Sequence, residues 1–405
     1  MLTTTTLLIV LGAVAAYALV SRRLESSIVT LPMIFTGLGL ALGGFGLDLV
    51  PMELGNEVIH TIAEITLVLV LFSDASGVKR HALSGGSVTI PARMLLIGMP
   101  LTVLLGTLVA RWVSPDQPWA FALLVAAILT PTDAALSQSV VVGPNVPKRI
   151  RHSINIESGL NDGLAFPIVL LAAIVAGEAT GLEGGQAPPD NIFLFALLQI
   201  VLGPLTGIVV GYGAAKLLDF AIDRHAATIV AQGLYFLSVA FLAYFAAGLI
   251  GGNGFIAAFV GGFVFGNTLR ASSVFIREFM EGEGQLLTLA TFLIFGSVLA
   301  PIGLEHASWT TVTLALLFLT VVRMVPIWLS LTGLKLSTYE RLFLGWFGPR
   351  GLASILFALL VLERFSFPGA EEMTACVALT VLFSIVAHGV TAAPLSRLFK
   401  STNPE

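Results

Sequence analysis

Asp133, Glu157, Asp162, Arg323 and Arg350 each fall inside a run of apolar residues long enough to cross a bilayer. A charge at the centre of a membrane helix costs at least about 2.5–3.5 kcal/mol, so such residues are candidates for function by default. Burial favours the neutral form of a carboxyl group. A carboxyl at that depth can hold a proton at neutral pH and still release it. A small hard cation seeks the same oxygens, so one acid that takes either ligand couples their movements. Within the run at 153–176, Asn155, Ser158 and Asp162 follow an i, i+3, i+7 spacing and share one helix face. Glu157 and Asn161 form an i, i+4 pair on a neighbouring face. The two acids therefore point in different directions: one faces a cavity with Ser158 beside it, and the other is available to pair with an arginine. Asp133, Asp162, Ser158 and carbonyls near Thr130 or Thr132 are the oxygen ligands expected for Na⁺. Asp74, at the end of the run at 57–74, is placed to draw cations into a funnel. Glu64 lies in the same run, and His388 in the last run reads as a packed polar residue.

The elements that carry these residues follow from composition. Of 405 residues, 56% are apolar and 11% charged, against roughly 25% charged in an average soluble domain. With a mean hydropathy of +0.95, the chain lacks the polar surface of a soluble enzyme and the basic surface of a nucleic-acid binder. One cysteine, Cys376, excludes a disulfide framework or a Cys-based metal centre. A crossing helix needs about 20 mostly apolar residues. Candidate spans lie near 4–20, 29–47, 57–74, 90–112, 119–142, 153–176, 191–217, 227–247, 252–268, 284–302, 308–331, 342–362 and 373–397, thirteen in all. Basic residues gather in alternate loops, at 22–23, 79–80, 148–151, 216–224, 270–277 and 335–341, and in the tail at 397–400; the other loops hold only Arg111 and Arg364. The positive-inside rule then puts the N-terminus outside and the C-terminus in the cytoplasm. The first run lacks a basic segment before it and reads as an uncleaved helix rather than a secretion signal.

Two spans carry a break at matching places. Thr130-Pro131-Thr132-Asp133 interrupts the fifth, and Gly348-Pro349-Arg350-Gly351 the twelfth. Proline removes a helix hydrogen bond and clashes with the preceding turn. Such interruptions are tolerated at membrane depth where they are buried or line a watery cavity. The strings Pro-Thr-Asp-Ala-Ala-Leu-Ser at 131–137 and Pro-Arg-Gly-Leu-Ala-Ser at 349–354 look alike, yet the two spans run in opposite directions. This predicts an all-α polytopic membrane protein, residues 1–405 forming one integral transporter unit of two inverted six-helix repeats. The first repeat covers about 4–176 and the second about 227–397, with a joint helix at 191–217 after a Gly/Pro-rich linker at 177–190. Paired broken helices of this kind mark a transporter's binding site. Counted from their shared side at about 1.5 Å per residue, Asp133 and Asp162 lie about 13 Å deep, and Arg323 and Arg350 about 12 Å. Four charges from four helices thus converge near the middle of the bilayer.

Taken together, these residues resemble the monovalent cation:proton antiporter family, in its NhaP-like sodium/proton exchanger branch. Glu157-Ser158-Gly159-Leu160-Asn161-Asp162 is similar to that branch's Glu-Ser-x-x-Asn-Asp signature, and Thr132-Asp133 to its Thr-Asp pair in the unwound helix. Gly348-Pro349-Arg350-Gly351 resembles its Gly-x-Arg-Gly element, and Gly252-Asn253-Gly254-Phe255 with Gly261-Gly262 a further stretch. The likeness runs from about residue 5 to 398. It implies that Asp162 carries the ion and the proton, with Asp133, Ser158 and the Thr132 carbonyl as co-ligands. It implies that Glu157 pairs with Arg350 as a structural bridge, and that Asn161 holds the crossing helices together. An Asn-Asp pair implies electroneutral exchange. A core of helices at about 90–176 and 308–397 would move against a dimer domain in a homodimer. The lack of a long regulatory tail favours a prokaryotic plasma-membrane member with a role in pH homeostasis.

The expected activity is therefore exchange of Na⁺, and of Li⁺ as a close analogue, for H⁺ by alternating access, without any cofactor. The partners are the two ions, the lipid bilayer and a second copy, with no nucleic acid. K⁺/H⁺ exchange stays open, because no residue here sets ion size. A cation channel is the alternative of another class; saturation and obligatory proton movement separate the two. An enzyme is not expected: the chain has neither a Gly-x-Ser-x-Gly nor a His-Glu-x-x-His pattern.

Overall fold

The computed structural model describes residues 4–24, 29–49, 57–78, 89–133, 136, 140, 145–179, 192–270, 274–365 and 367–402. Every regular element among them is helical. Along the chain these are α1 (Thr4–Leu24), α2 (Leu31–Leu42), α3 (Glu57–Gly77), α4 (Thr89–Val113), α5 (Trp119–Ile128), α6 (Lys148–Ala179) and α7 (Ile192–Asp223). Then come α8 (Ile229–Leu249), α9 (Gly254–Thr268), α10 (Val274–Ile294, continued by a π turn and Ala300–Glu305), α11 (Trp309–Ser330), α12 (Thr338–Trp346), α13 (Leu352–Arg364) and α14 (Ala370–Thr402). Eight described helices are long and apolar enough to cross a membrane; α1, α2, α5 and α9 are shorter apolar stretches. Counting α12 and α13 as one interrupted span, the described helices fall in the thirteen expected places. The linker expected at 177–190 and the basic loop at 79–80 fall largely or wholly outside the described residues.

Helices α6 and α7 each have 32 residues, about 48 Å of helix at 1.5 Å per residue. That exceeds the roughly 30 Å hydrocarbon thickness, so their ends outrun the apolar runs that reveal them. The first halves of the fifth and twelfth spans are short. α5 ends at Ile128, before Pro131, and α12 ends at Trp346, before Pro349, because proline cannot donate to the next helical bond. α11 is bent at Thr320, whose backbone leaves the helical region with φ −110° and ψ −90°.

The helices pack in two groups around this pair of breaks. α7 lies along α9 through small residues: a Cβ on Gly203 would approach the Asn253 carbonyl to 2.9 Å, and one on Gly207 the Ala257 carbonyl to 2.6 Å. Small residues allow such close helix contact where lipid gives no hydrophobic drive. Phe72 of α3, Phe236 of α8 and Phe265 of α9 join the same group, with ring centroids 4.8–5.9 Å apart. In the other group, α5 and α6 pack together, as do α11 and α12, and α13 and α14. Glu340 caps the start of α12 and bridges to Arg149 of α6 at 2.5 Å, fixing that half-helix against the span that carries Asp162. Phe166 of α6 connects the groups, 4.9 Å from Phe255 of α9 and 5.5 Å from Phe357 of α13.

Candidate functional site: two crossed breaks beside a buried acid

The two breaks meet, and each supplies what the other's cut ends lack. The first backbone groups of a helix and the last carbonyls have no partner within it. Here the Asp133 N–H donates to the Pro349 carbonyl at 2.8 Å. One Asp133 carboxylate oxygen accepts the Leu352 N–H at 2.7 Å, so an acid from the fifth span caps the start of α13. Its negative charge also suits the positive end of that helix. In return, Ser354 Oγ donates to the Ile128 carbonyl at the end of α5, at 2.8 Å. Arg350 Nη1 donates to the Pro131 carbonyl at 3.2 Å and to its own Gly348 carbonyl at 3.1 Å.

Glycine at both ends of Gly348-Pro349-Arg350-Gly351 follows from close approach. A methyl at Gly351 would overlap the Asp133 carboxylate, and one at Gly348 would overlap the Arg323 guanidinium.

On α6, Ser158 and Asn161, expected on different faces, reach the same partner. Ser158 Oγ lies 3.1 Å from Thr132 Oγ1, and Asn161 Nδ2 donates to the same Thr132 hydroxyl at 2.5 Å. The first break is thereby tied to α6. Asp162 is 7% exposed, and its Oδ1 has no hydrogen-bond partner. Asn161 Oδ1 and two Arg350 nitrogens, Nε and Nη2, are likewise buried without a partner. Buried polar atoms are nearly always paired, and these four atoms without a partner belong to α6 and the second break. Asn155, on the Asp162 face but nearer the start of α6, is exposed; this face runs from open to enclosed.

Three carboxylates act on one another here. Asp162 feels the charges of Asp74 and Asp133, and Asp74 feels that of Asp133. Asp74 reaches the site from α3, where its backbone would sit 3.5 Å from a Cβ on Gly159 of α6. Like charges at close quarters repel, and a bound cation or a proton relieves them. Among the described residues no three His, Cys, Asp or Glu side chains form a metal cluster. The hydroxyls of Thr132 and Ser158 face each other between the first break and α6.

The buried ion pair differs from the expected one. Glu157 pairs with Arg323, not Arg350: Arg323 Nη1 and Nη2 donate to its two carboxylate oxygens at 2.5 and 2.8 Å. Both residues are 2% exposed. The reason is the break. It carries Arg350 out of helical register and aims it at the Pro131 carbonyl, while the bend at Thr320 brings Arg323 onto the Glu157 face of α6. Ser354, Ser384 and His388 also contact the breaks, and only His388 stood out in the sequence as a polar residue within a span. Glu64 lies away from the site, on α3, where it accepts from the Tyr244 hydroxyl and lies 3.7 Å from Arg364.

Two interrupted helices crossing beside a buried acid are the arrangement of a membrane transporter's binding site, and the chain belongs to the sodium/hydrogen exchanger family. The family model described as sodium/hydrogen exchanger, transmembrane, matches residues 8–398. The chain is 30% identical over 289 residues to the Na⁺/H⁺ antiporter NhaH of Halobacillus dabanensis, covering 69% of each protein. It is 25% identical over 402 residues to the K⁺/H⁺ antiporter NhaP of Alkalimonas amylolytica, covering 98% of this chain and 67% of that one. It spans 58% of the K⁺/H⁺ antiporter NhaP2 of Shewanella baltica, at 28% identity. In fold it is similar to the sodium proton antiporter MjNhaP1 of Methanocaldococcus jannaschii, with a TM-score of 0.75 at 20% identity over 96% of this chain and 98% of that one.

Proposed function

We propose that this chain exchanges Na⁺ for H⁺ across a prokaryotic plasma membrane by alternating access, one ion for one proton, with Asp162 as the shared carrier. The observation that carries this reading is the Asp162 carboxylate itself: buried, short of a partner at Oδ1, and within electrostatic reach of two more acids. A proton satisfies it, and so does a cation shared with Asp133, Ser158 and Thr132, but the two exclude each other. Exchange follows without a further coupling device. Asn161, neutral and bonded to Thr132, adds no second titrating charge, which supports an electroneutral cycle. Glu157 with Arg323, and Arg350 with the Pro131 carbonyl, hold the frame. Asp74 stands at the cytoplasmic mouth and raises the local cation concentration. The core helices α4–α6 and α11–α14 move against the group built on α3 and α7–α9. The exposed apolar face of α7 gives a surface for lipid or for the second copy of a homodimer. The N-terminus lies outside and the C-terminus in the cytoplasm, as the basic loops require.

The test is purified protein in liposomes with an internal pH dye, challenged with Na⁺, Li⁺ and K⁺ at several pH values. Na⁺ and Li⁺ should drive proton movement independent of membrane potential, and Asp162→Asn should abolish it while the protein still elutes as a folded species. Cation-driven proton flux that survives Asp162→Asn refutes the assignment. The relatives named K⁺/H⁺ antiporters support K⁺ exchange as the second reading, and a response to K⁺ alone would establish it in place of Na⁺.

A further inference from the structure

In an unbroken helix the N–H of residue 350 would donate to the carbonyl of residue 346, four positions earlier. At the second break that bond is absent, and two side chains of α14 occupy its place. The Arg350 N–H donates to Ser384 Oγ at 2.7 Å. Ser384 Oγ lies 3.1 Å from His388 Nδ1, and His388 Nε2 lies 2.9 Å from the Trp346 carbonyl. Ser384 and His388 are one helical turn apart, so both reach the same neighbour. Carbonyl oxygens only accept and backbone N–H groups only donate. His388 Nε2–H donates to Trp346, and the Arg350 N–H donates to the Ser384 hydroxyl, which lies beside His388 Nδ1. The Ser384 carbonyl also lies 2.9 Å from Nδ1, as the i, i+4 neighbour on the helix. The Trp346 carbonyl takes a second bond from the Gly348 N–H at 2.8 Å, within its two lone pairs. Ser384 and His388 are both fully buried, and the Trp346 ring stacks on His388 with centroids 5.0 Å apart.

We infer that Ser384 and His388 are positioning residues for cation binding: they splice the broken helix open and thereby set where Asp133 stands. The route is short. The splice holds the backbone on either side of Pro349. The Pro349 carbonyl accepts the Asp133 N–H, and Leu352, two residues past Arg350, donates to the Asp133 carboxylate. Loosening the splice frees residues 346–350 to shift and carries the Asp133 anchor with them. His388 touches neither ion nor reacting carboxylate, so it acts through this frame. The inference rests on Asp133 being a cation ligand, as proposed above.

The experiment compares His388→Ala, His388→Gln, Ser384→Ala and Thr391→Val in liposomes, with wild type and Asp162→Asn alongside. Glutamine can still donate to the Trp346 carbonyl. Thr391 accepts the Trp346 indole N–H at 2.9 Å, so its removal disturbs the same helix pair without touching the break's backbone. His388→Ala and Ser384→Ala should each raise the KM for Na⁺ about tenfold, with Vmax within about twofold. His388→Gln should recover most of that loss, and Thr391→Val should leave KM unchanged. In parallel, stabilisation of the purified protein by Na⁺ should require correspondingly higher concentrations in both alanine variants. An unchanged KM in either alanine variant that folds, or an equal KM rise in His388→Gln or Thr391→Val, overturns the inference. The Asp162→Asn arm reads the carrier assignment separately: flux surviving there refutes the site while leaving the His388 comparison interpretable.

Discussion

Removing Arg323 should cost far more than removing Arg323 and Glu157 together. The pair is bidentate, at 2.5 and 2.8 Å, with both residues 2% exposed. Arg323 Nε and Nη2 also reach the Gly345 and Leu344 carbonyls, at 3.4 and 3.5 Å. Arg323→Met alone strands a carboxylate whose one ion pair within 4 Å, among the described residues, is with Arg323. Breaking a buried pair from one side costs about 3–5 kcal/mol, whereas replacing both members with apolar residues of similar volume is neutral or mildly stabilising. The distant carbonyl contacts add little, since bonds beyond about 3.2 Å are weak. The variants are therefore Arg323→Met, Glu157→Leu and the double substitution. The assay is equilibrium unfolding of the purified protein in mild detergent titrated with a denaturing one. The single variants should lose about 3–5 kcal/mol each and the double variant less than about 1 kcal/mol, a coupling of about 5 kcal/mol or more. A double variant as unstable as the singles would refute the argument, showing that packing rather than mutual neutralisation sets the cost.

Arg364 offers the contrasting case: its pair with Glu64 is 3.7 Å long and both side chains are more than a third exposed. Arg364→Ala should change stability by less than about 1 kcal/mol in the same unfolding assay. Gly351→Ala should cut Na⁺-driven proton flux at least tenfold, because the new methyl displaces the Asp133 carboxylate from Leu352; rate measurements in liposomes check this. Because proton and cation compete for one carboxylate, activity should fall on the acid side as protons win. A tenfold rise in Na⁺ should move that acid limb about one pH unit lower by mass action, read from flux–pH profiles at two Na⁺ concentrations.

Much of this was legible in the chain because the bilayer imposes its own arithmetic. Apolar run length gave the spans, and alternation of basic loops gave a consistent count. Pro131 and Pro349 located both breaks, and the Glu-Ser-x-x-Asn-Asp string singled out Ser158 and Asn161, which the structure brings to Thr132. What failed was partner choice. Arg323 and Arg350 lie at nearly the same depth, so counting residues could not decide between them for Glu157; the answer depended on backbone direction after a break, which carries no helical periodicity. Ser354 and Ser384 were invisible for a related reason. A serine in an apolar helix ordinarily bonds its own backbone, and only the crossing of two breaks turns these two toward another helix. Gly348 and Gly351 read as helix breakers, yet their hydrogens make room for Arg323 and Asp133.

The central claim is that cation and proton share one carboxylate, and proton release on cation binding measures it most directly. Purified protein in weakly buffered detergent solution, mixed with Na⁺ in the presence of a pH dye, should release close to one proton per cation bound, and Asp162→Asn should release none. Cation binding to the wild type with no proton released, or undiminished release from Asp162→Asn, would contradict the account.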